Sequence, residues 1–336
     1  MKNFLPSAVA CAASILGTSA FAQSTAPVNP VAMVDQMEAT FGKFEGYRRS
    51  GAKGVCATGE FVGNADARAL TTASVFSGNA IPVGVRFSVG GANPKVADNG
   101  KSQRNMALQF NLPNGEQWLM GNINAPVFGA ASPQQFISLL ASRQPDPATK
   151  MPDPAKVKAF NDANPEVLLQ GKHFASQPVP ASFGAQNYWG VHAFGFVNAG
   201  GAKQFGKWIF EPVGGVQGLT DDEAKAKGPS FLFDDLRQRV KEGKVAFNFN
   251  LELAQAGDKL DNATVPLPEG RKKVTLGTLK ITAVSDDGAG PCLTVNYNPM
   301  ILPKGVEPST DPMLAARAAP YAVSQGRRLS EGAKQQ

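Results

Sequence analysis

Apolar and polar residues alternate with a period of two along much of the chain between Gly54 and Val127. GVCATGEF, VGVRFSV, MALQFNL and QWLMGNINAPVF each alternate or run apolar, and the clusters GGANP and LPNGE separate them, which predicts strands joined by tight turns. The pattern returns at Asn187–Asn198, Gly206–Pro212, Lys244–Ala254 and Val274–Val284. Helical spacing is confined to shorter stretches: Val34–Gly42, Pro133–Ser142, a short helix within the Pro- and Asp-rich segment Pro152–Leu169, Thr220–Ala226, Ser230–Glu242, and a last helix from Asp311 to Tyr321. The Gly-Gly pairs at Gly90, Gly200 and Gly214 sit in turn contexts and do not read as phosphate loops. Many strands with a few helices between them predict an α+β domain: an antiparallel β-barrel with helices packed outside it.

The N-terminus follows another pattern. Lys2, the apolar run Phe4–Leu16 and Ala20-Phe21-Ala22 before Gln23 have the layout of a secretory signal. The run is too short and too rich in Ser, Ala and Gly to cross a bilayer core, which takes ~20 apolar residues. The expectation is a signal peptide over 1–22 and a single domain over 23–336, exported to a bacterial periplasm and free of the membrane after cleavage. Without Cys11, the cysteines are Cys56 and Cys292. An oxidising compartment permits a disulfide between them, and two buried thiols are the alternative.

Composition narrows the partners. A hydrophobic content of 43% over 336 residues is ample for one large core. The net charge of +6 comes from pairs of basic residues and the triplet Arg271-Lys272-Lys273, not from the dense stripe that nucleic-acid binding needs. Such a surplus suits an anionic ligand. HExxH, CxxC, G-x-S-x-G and nucleotide-binding glycine motifs are all missing, and only two histidines argue against a zinc site.

The densest chemistry lies in DPMLAARAAPYAVSQGRRL. Arg317 and Tyr321 are four residues apart, so they share one face of a helix. A guanidinium held against a phenol stabilises the tyrosinate, and tyrosinate is an axial ligand of haem iron. EPSTDPMLAARAAPYAV resembles the proximal haem-ligand helix of the haem catalase family, and most of all its short secreted branch, the catalase-related peroxidases. GYRRSGAKGVCATGEF is similar to the family's R-x-x-H-A-K-G segment. IPVGVRFSVGG is similar to V-R-F-S, MGNINAPVF to G-N-N-T-P-V-F, and NYWGVHAFGFVNA to the family's proximal histidine segment.

This resemblance implies a catalase-like barrel without the C-terminal helical domain of long catalases, and haem b as cofactor. It makes Tyr321 the iron ligand and places Arg48, Arg86 and Arg328 on the haem propionates. It also implies an Asp311–His192–Arg317–Tyr321 relay and Phe136 packed near the distal haem face. Ser88 and either Asn122 or Asn124 would face the distal pocket, with Asn124 favoured by its closeness to Ala-Pro-Val-Phe. Peroxide and a small-molecule or protein electron donor are the implied partners, and the expected state is monomer or homodimer.

One position departs from the family. Its distal histidine, immediately before A-K-G, is here Gly51, and neither His192 nor His173 is an obvious replacement. Losing a general acid–base group forfeits ~10²–10⁴ in rate, or roughly 3–5 kcal/mol of barrier. On this reading Gly51→His raises peroxide reactivity by roughly tenfold or more. Arg104-Asn105 stands where the family usually has Arg-Gly. Two functions follow: a haem peroxidase reducing organic hydroperoxides or hydrogen peroxide with a small donor, and a non-catalytic periplasmic haem-binding or sensing protein.

Overall fold

The computed structural model describes Met1 and residues 28–285 and 290–332; the expected signal peptide lies outside the described residues. The first half of the chain forms α1 (Pro30–Phe41), β1 (Gly54–Gly63), β2 (Ala80–Val89), β3 (Arg104–Asn111), β4 (Gln117–Ile123), α2 (Pro133–Ser142), α3 (Pro154–Ala163) and α4 (Leu168–Ser176). It continues with β5 (Val179–Pro180), β6 (Tyr188–Trp189), β7 (Phe194–Val197), β8 (Lys203–Pro212), β9 (Gly218–Leu219), α5 (Asp221–Ala226) and α6 (Phe231–Lys241). Last come β10 (Ala246–Leu253), β11 (Lys273–Val284), β12 (Val306–Pro308), α7 (Pro312–Ala315) and α8 (Ala318–Ser330).

A polar cap followed by proline starts several of the helices. Asn29-Pro30, Ser132-Pro133, Asp153-Pro154 and Asp311-Pro312 each place a side-chain oxygen on the first free N–H groups and a proline where no N–H is needed. This cap starts α1 at Pro30, four residues before the expected Val34. The segment Pro152–Leu169 holds α3 and leads directly into α4, so His173 is helical. The expected helix from Asp311 to Tyr321 is broken between α7 and α8. Pro320 has no N–H to donate to Ala316, and its ring would crowd that carbonyl, so it fits only in the first turn of a new helix.

Strands β10, β11, β1, β2, β3, β4, β6 and β8 pair in that order, all antiparallel, and β8 pairs back to β10, closing an eight-stranded barrel. β7 and β12 extend the sheet beyond β8. Phe61, Phe110, Trp118, Phe210 and Phe249 are fully buried, and Phe210 stacks on Phe249 at 4.5 Å. A barrel of this size is filled by such side chains, so a ligand must bind on its outer face.

Strand alternation decides what that face presents. Val85, Phe87, Met106, Leu108, Trp118 and Met120 belong to the barrel core, so their neighbours Arg86, Ser88, Asn105, Ala107, Gly121 and Ile123 point outward. The pairing register aligns them in two rows across three strands, Arg86–Ala107–Gly121 and Ser88–Asn105–Ile123.

The helices α1 and α8 pack together beside this wall. Arg49, 2% exposed, ion-pairs with Glu38 of α1 at 2.7 Å and with Glu331 beyond α8 at 2.6 Å. Arg327 of α8 reaches Asp35 and Glu38 of α1 at 2.6 and 3.0 Å. Cys56 of β1 is disulfide-bonded to Cys292, 236 residues away, with a Cα–Cα distance of 5.5 Å. Among the described residues no helix is long and apolar enough to cross a membrane.

Candidate active site

A cavity of about 260 Å³ opens between the outward rows of β2–β4 and the helices α1, α2 and α8. Arg48, Arg49, Arg86, Arg317 and Arg328 line it, and no carboxylate does among the described residues. Arg48 is half-buried and donates through Nη2 to the carbonyl oxygens of Cys292 at 2.9 Å and Val295 at 3.0 Å. Arg328 donates through Nη1 to the Leu293 carbonyl at 2.6 Å, while its buried Nη2 has no partner among the described residues.

Burial, with Arg86 and Arg328 nearby, pushes the Arg48 pKa well below its ordinary value. Burial likewise takes Arg86 down to about 10. Arg48, Arg86 and Arg328 together concentrate positive charge on this wall, and the burial that lowers the pKa of each favours an anionic ligand beside them.

Tyr297 adds to this cluster. It is 5% exposed, and its hydroxyl has no hydrogen-bond partner among the described residues. Arg48 lies over its ring, 5.6 Å from the centroid, and burial raises the phenol pKa to about 12. The sequence reading missed this residue. A lone tyrosine in TVNYNPM carries no motif, and only its position among three arginines marks it.

Tyr321 faces the same cavity from the first turn of α8, and Arg317 Nη2 donates to its hydroxyl. The break at Ala316 leaves this pair on one face, because the Tyr321 N–H still bonds to the Arg317 carbonyl at 3.2 Å. His192 lines the cavity too, and its Nδ1 lies 2.7 Å from Asp311 Oδ2. Burial pushes the His192 pKa down, favouring the neutral ring that donates to the carboxylate. Burial alone would raise Asp311, but the His192 hydrogen bond holds it below the usual carboxylate value. Asp311 Oδ1 also caps α7, accepting from the Met313 N–H at 2.8 Å, so one carboxylate fixes both the helix and the imidazole.

On the barrel side Ser88 faces the cavity, and Phe136 packs against Phe128 at its edge, with centroids 5.6 Å apart. The two candidate distal amides separate. Asn122 borders the cavity, but its Nδ2 donates to the Met106 carbonyl at 3.0 Å and its Oδ1 accepts from Trp208 Nε1 at 2.7 Å. Asn124, favoured on sequence, lies away from the cavity. Its Oδ1 accepts from the Arg104 N–H at 2.7 Å, and its Nδ2 donates to Gln186 at 3.2 Å. His173 is beside it, with Nε2 3.1 Å from the Asn124 carbonyl, on a separate pocket of about 70 Å³. It does not stand in for the residue lost at position 51.

Gly51 has φ +66°, the left-handed region, and a Cβ there would lie 2.8 Å from Ser88 Oγ and 3.4 Å from Asn105 Nδ2. This revises the expectation that Gly51→His simply restores a distal base. The variant is expected to lose about 1–3 kcal/mol of stability through backbone strain and to displace the Ser88 hydroxyl. Thermal denaturation checks it; a histidine variant as stable as its parent contradicts the strain.

The donor set fits haem. Clustered arginines and a phenol with no partner among the described residues suit two propionates, and Tyr321 with Arg317 suits the iron. The floor at Ala107 and Gly121 carries only small side chains, and at Gly121 even a Cβ would come within 3.0 Å of Arg317 Nη2.

Comparison with known proteins agrees with this geometry. The family model described as Catalase matches residues 45–336. The chain is 39% identical over 326 residues to a catalase-related peroxidase of Synechococcus elongatus, covering 97% of this chain and 96% of that one. It is 30% identical to a catalase-related peroxidase of Mycolicibacterium paratuberculosis, covering 88% and 94%. A fungal catalase crystal structure superposes with TM-score 0.77 at 21% identity, covering 84% of this chain and 59% of that one. Catalase A of Saccharomyces cerevisiae gives TM-score 0.74 at 20% identity, covering 84% and 61%. The protein belongs to the catalase family of oxidoreductases, in its short branch.

Proposed function

We propose that the protein is a haem b peroxidase that reduces organic hydroperoxides or hydrogen peroxide at the expense of a small electron donor. The observation that carries this reading is a cavity lined by five arginines and, among the described residues, by no carboxylate, closed on one side by Tyr321 bonded to Arg317. Haem, when bound, supplies the redox chemistry. The residues of the chain do the rest: Arg48, Arg86, Arg328 and Tyr297 hold the propionates. Tyr321 would ligate the iron, with Arg317 donating a hydrogen bond to the same oxygen. Burial keeps His192 neutral, and its hydrogen bond with Asp311 fixes the ring beside that pair. Such outer contacts orient the ligand and tune its electron donation.

The distal wall differs in kind. With Gly51 there, no imidazole is available to carry a proton between the two peroxide oxygens, and Ser88, a hydrogen-bond donor that does not titrate near neutral pH, faces that space. The oxygen that departs, as hydroxide from hydrogen peroxide or as an alkoxide from an organic hydroperoxide, then leaves with hydrogen-bond donation alone, so turnover of both peroxides is expected to be slow. The Cys56–Cys292 disulfide supports an exported protein working in an oxidising compartment, with residues 1–22 removed.

Steady-state turnover of cumene hydroperoxide and of hydrogen peroxide with a phenolic donor tests the proposal. Donor oxidation is expected with both. Haem-loaded protein that oxidises no donor is instead the haem-binding protein that Gly51 also permits.

A further inference from the structure

The cavity has a distal amide, but it comes from neither of the two positions that the sequence singled out. Asn105 points outward from β3 and lines the cavity directly beside Ser88, its register partner on β2. Its orientation is fixed from behind. Gln103 Nε2 donates to Asn105 Oδ1 at 2.6 Å, which leaves Asn105 Nδ2 to donate to Ser88 Oγ at 3.1 Å. Gln103 is itself tied to the sheet, its carbonyl accepting from the Gly90 N–H at 2.8 Å. A hydroxyl that already accepts one hydrogen bond, and that makes no donation of its own to the described residues, is left to donate its O–H into the cavity. Ser88 is 2% exposed, so a wrong rotamer would leave that O–H buried and unsatisfied.

Position 51 explains why this chain can use such an arrangement. Ser88 Oγ and Asn105 Nδ2 are the two polar side-chain atoms nearest to where a Gly51 side chain would begin, at 2.8 and 3.4 Å. The two departures from the family pattern, Gly51 and Asn105, therefore meet at one spot. One removes a ring, and the other brings an amide to the space that the ring would enter.

We propose that Asn105, locked by Gln103, is the positioning residue of the distal wall, and that it aims the Ser88 hydroxyl at the oxygen that departs from a bound peroxide. A donor held where negative charge develops lowers the barrier without moving a proton itself. This inference rests on the peroxidase reading for its substrate, but the hydrogen-bond geometry can be tested separately.

The experiment uses haem-loaded full-length protein and the variants Asn105→Ala, Asn105→Gly and Ser88→Ala. The infrared C–O stretch of the reduced protein with carbon monoxide reports on a donor facing a haem ligand. Steady-state kcat/KM with tert-butyl hydroperoxide, haem content and Tm complete the set. Both Asn105 variants are expected to shift the C–O band to higher frequency, as Ser88→Ala does. They should also lower kcat/KM about tenfold, with haem content and Tm retained. A C–O band unmoved in both Asn105 variants while Ser88→Ala moves it overturns the proposal, because Ser88 then orients without Asn105. A rate loss with an unmoved band overturns it equally, as a merely structural effect. If the parent protein turns over no peroxide, the peroxidase reading fails, while the band shift still decides whether Asn105 positions Ser88.

Discussion

Tyr321→Phe is expected to lower haem retention by about 10²-fold or more while leaving the fold intact. The hydroxyl makes its protein contact with Arg317, and the ring lies on the cavity side of α8 in a half-buried position, so a phenylalanine fills the same space. What disappears is the oxygen proposed to ligate iron and, with it, the acceptor of the Arg317 hydrogen bond. Losing an outer contact of a metal ligand costs about 10–100-fold in affinity, and losing the ligand itself costs at least as much. Haem titration of the apoprotein, followed by Soret absorbance, measures the change. An unchanged affinity would place the iron ligand elsewhere.

Removing the disulfide with Cys56→Ser and Cys292→Ser together is expected to destabilise the protein by about 2–4 kcal/mol and to weaken haem binding as well. The stability term follows from releasing a loop that spans most of the chain. The binding term is specific to this site. Cys292, Leu293 and Val295 supply the carbonyl oxygens that hold Arg48 and Arg328, and Cys56 sits opposite Arg86 in the β1–β2 register. A loosened segment lets two of the three arginines of the anion site swing away. Chemical denaturation and haem titration of the double variant check both effects. Lower stability with haem affinity unchanged would mean that the arginines are positioned without the disulfide.

The barrel was legible because its strands are regular. Period-two runs such as VGVRFSV and MALQFNL, bounded by Gly, Asn and Pro clusters, fix both the strands and the face each residue takes. The helix ends were less legible. Asn29-Pro30 starts α1 before its apolar pattern begins, and Pro320 divides a helix that spacing alone makes continuous.

In the site, Tyr321, Arg317, His192, Arg48, Arg86, Arg328, Ser88 and Phe136 meet around one cavity, with Asp311 behind His192. These positions sit in motifs whose local spacing carries their geometry. The distal amide does not. Whether Asn122, Asn124 or Asn105 faces the cavity depends on partners far away in sequence. Trp208 takes up Asn122, and Gln186 takes up Asn124. The left-handed φ of Gly51 was equally hidden, and with it the strain that any side chain there would bring.

The central claim is that this cavity performs peroxide chemistry without a distal histidine. Stopped-flow absorbance of haem-loaded protein mixed with cumene hydroperoxide, with and without a phenolic donor, tests it most directly. A rapid change in the Soret band that reverses at a rate proportional to donor concentration is expected. A Soret band that stays unchanged, or only bleaches irreversibly, would contradict it.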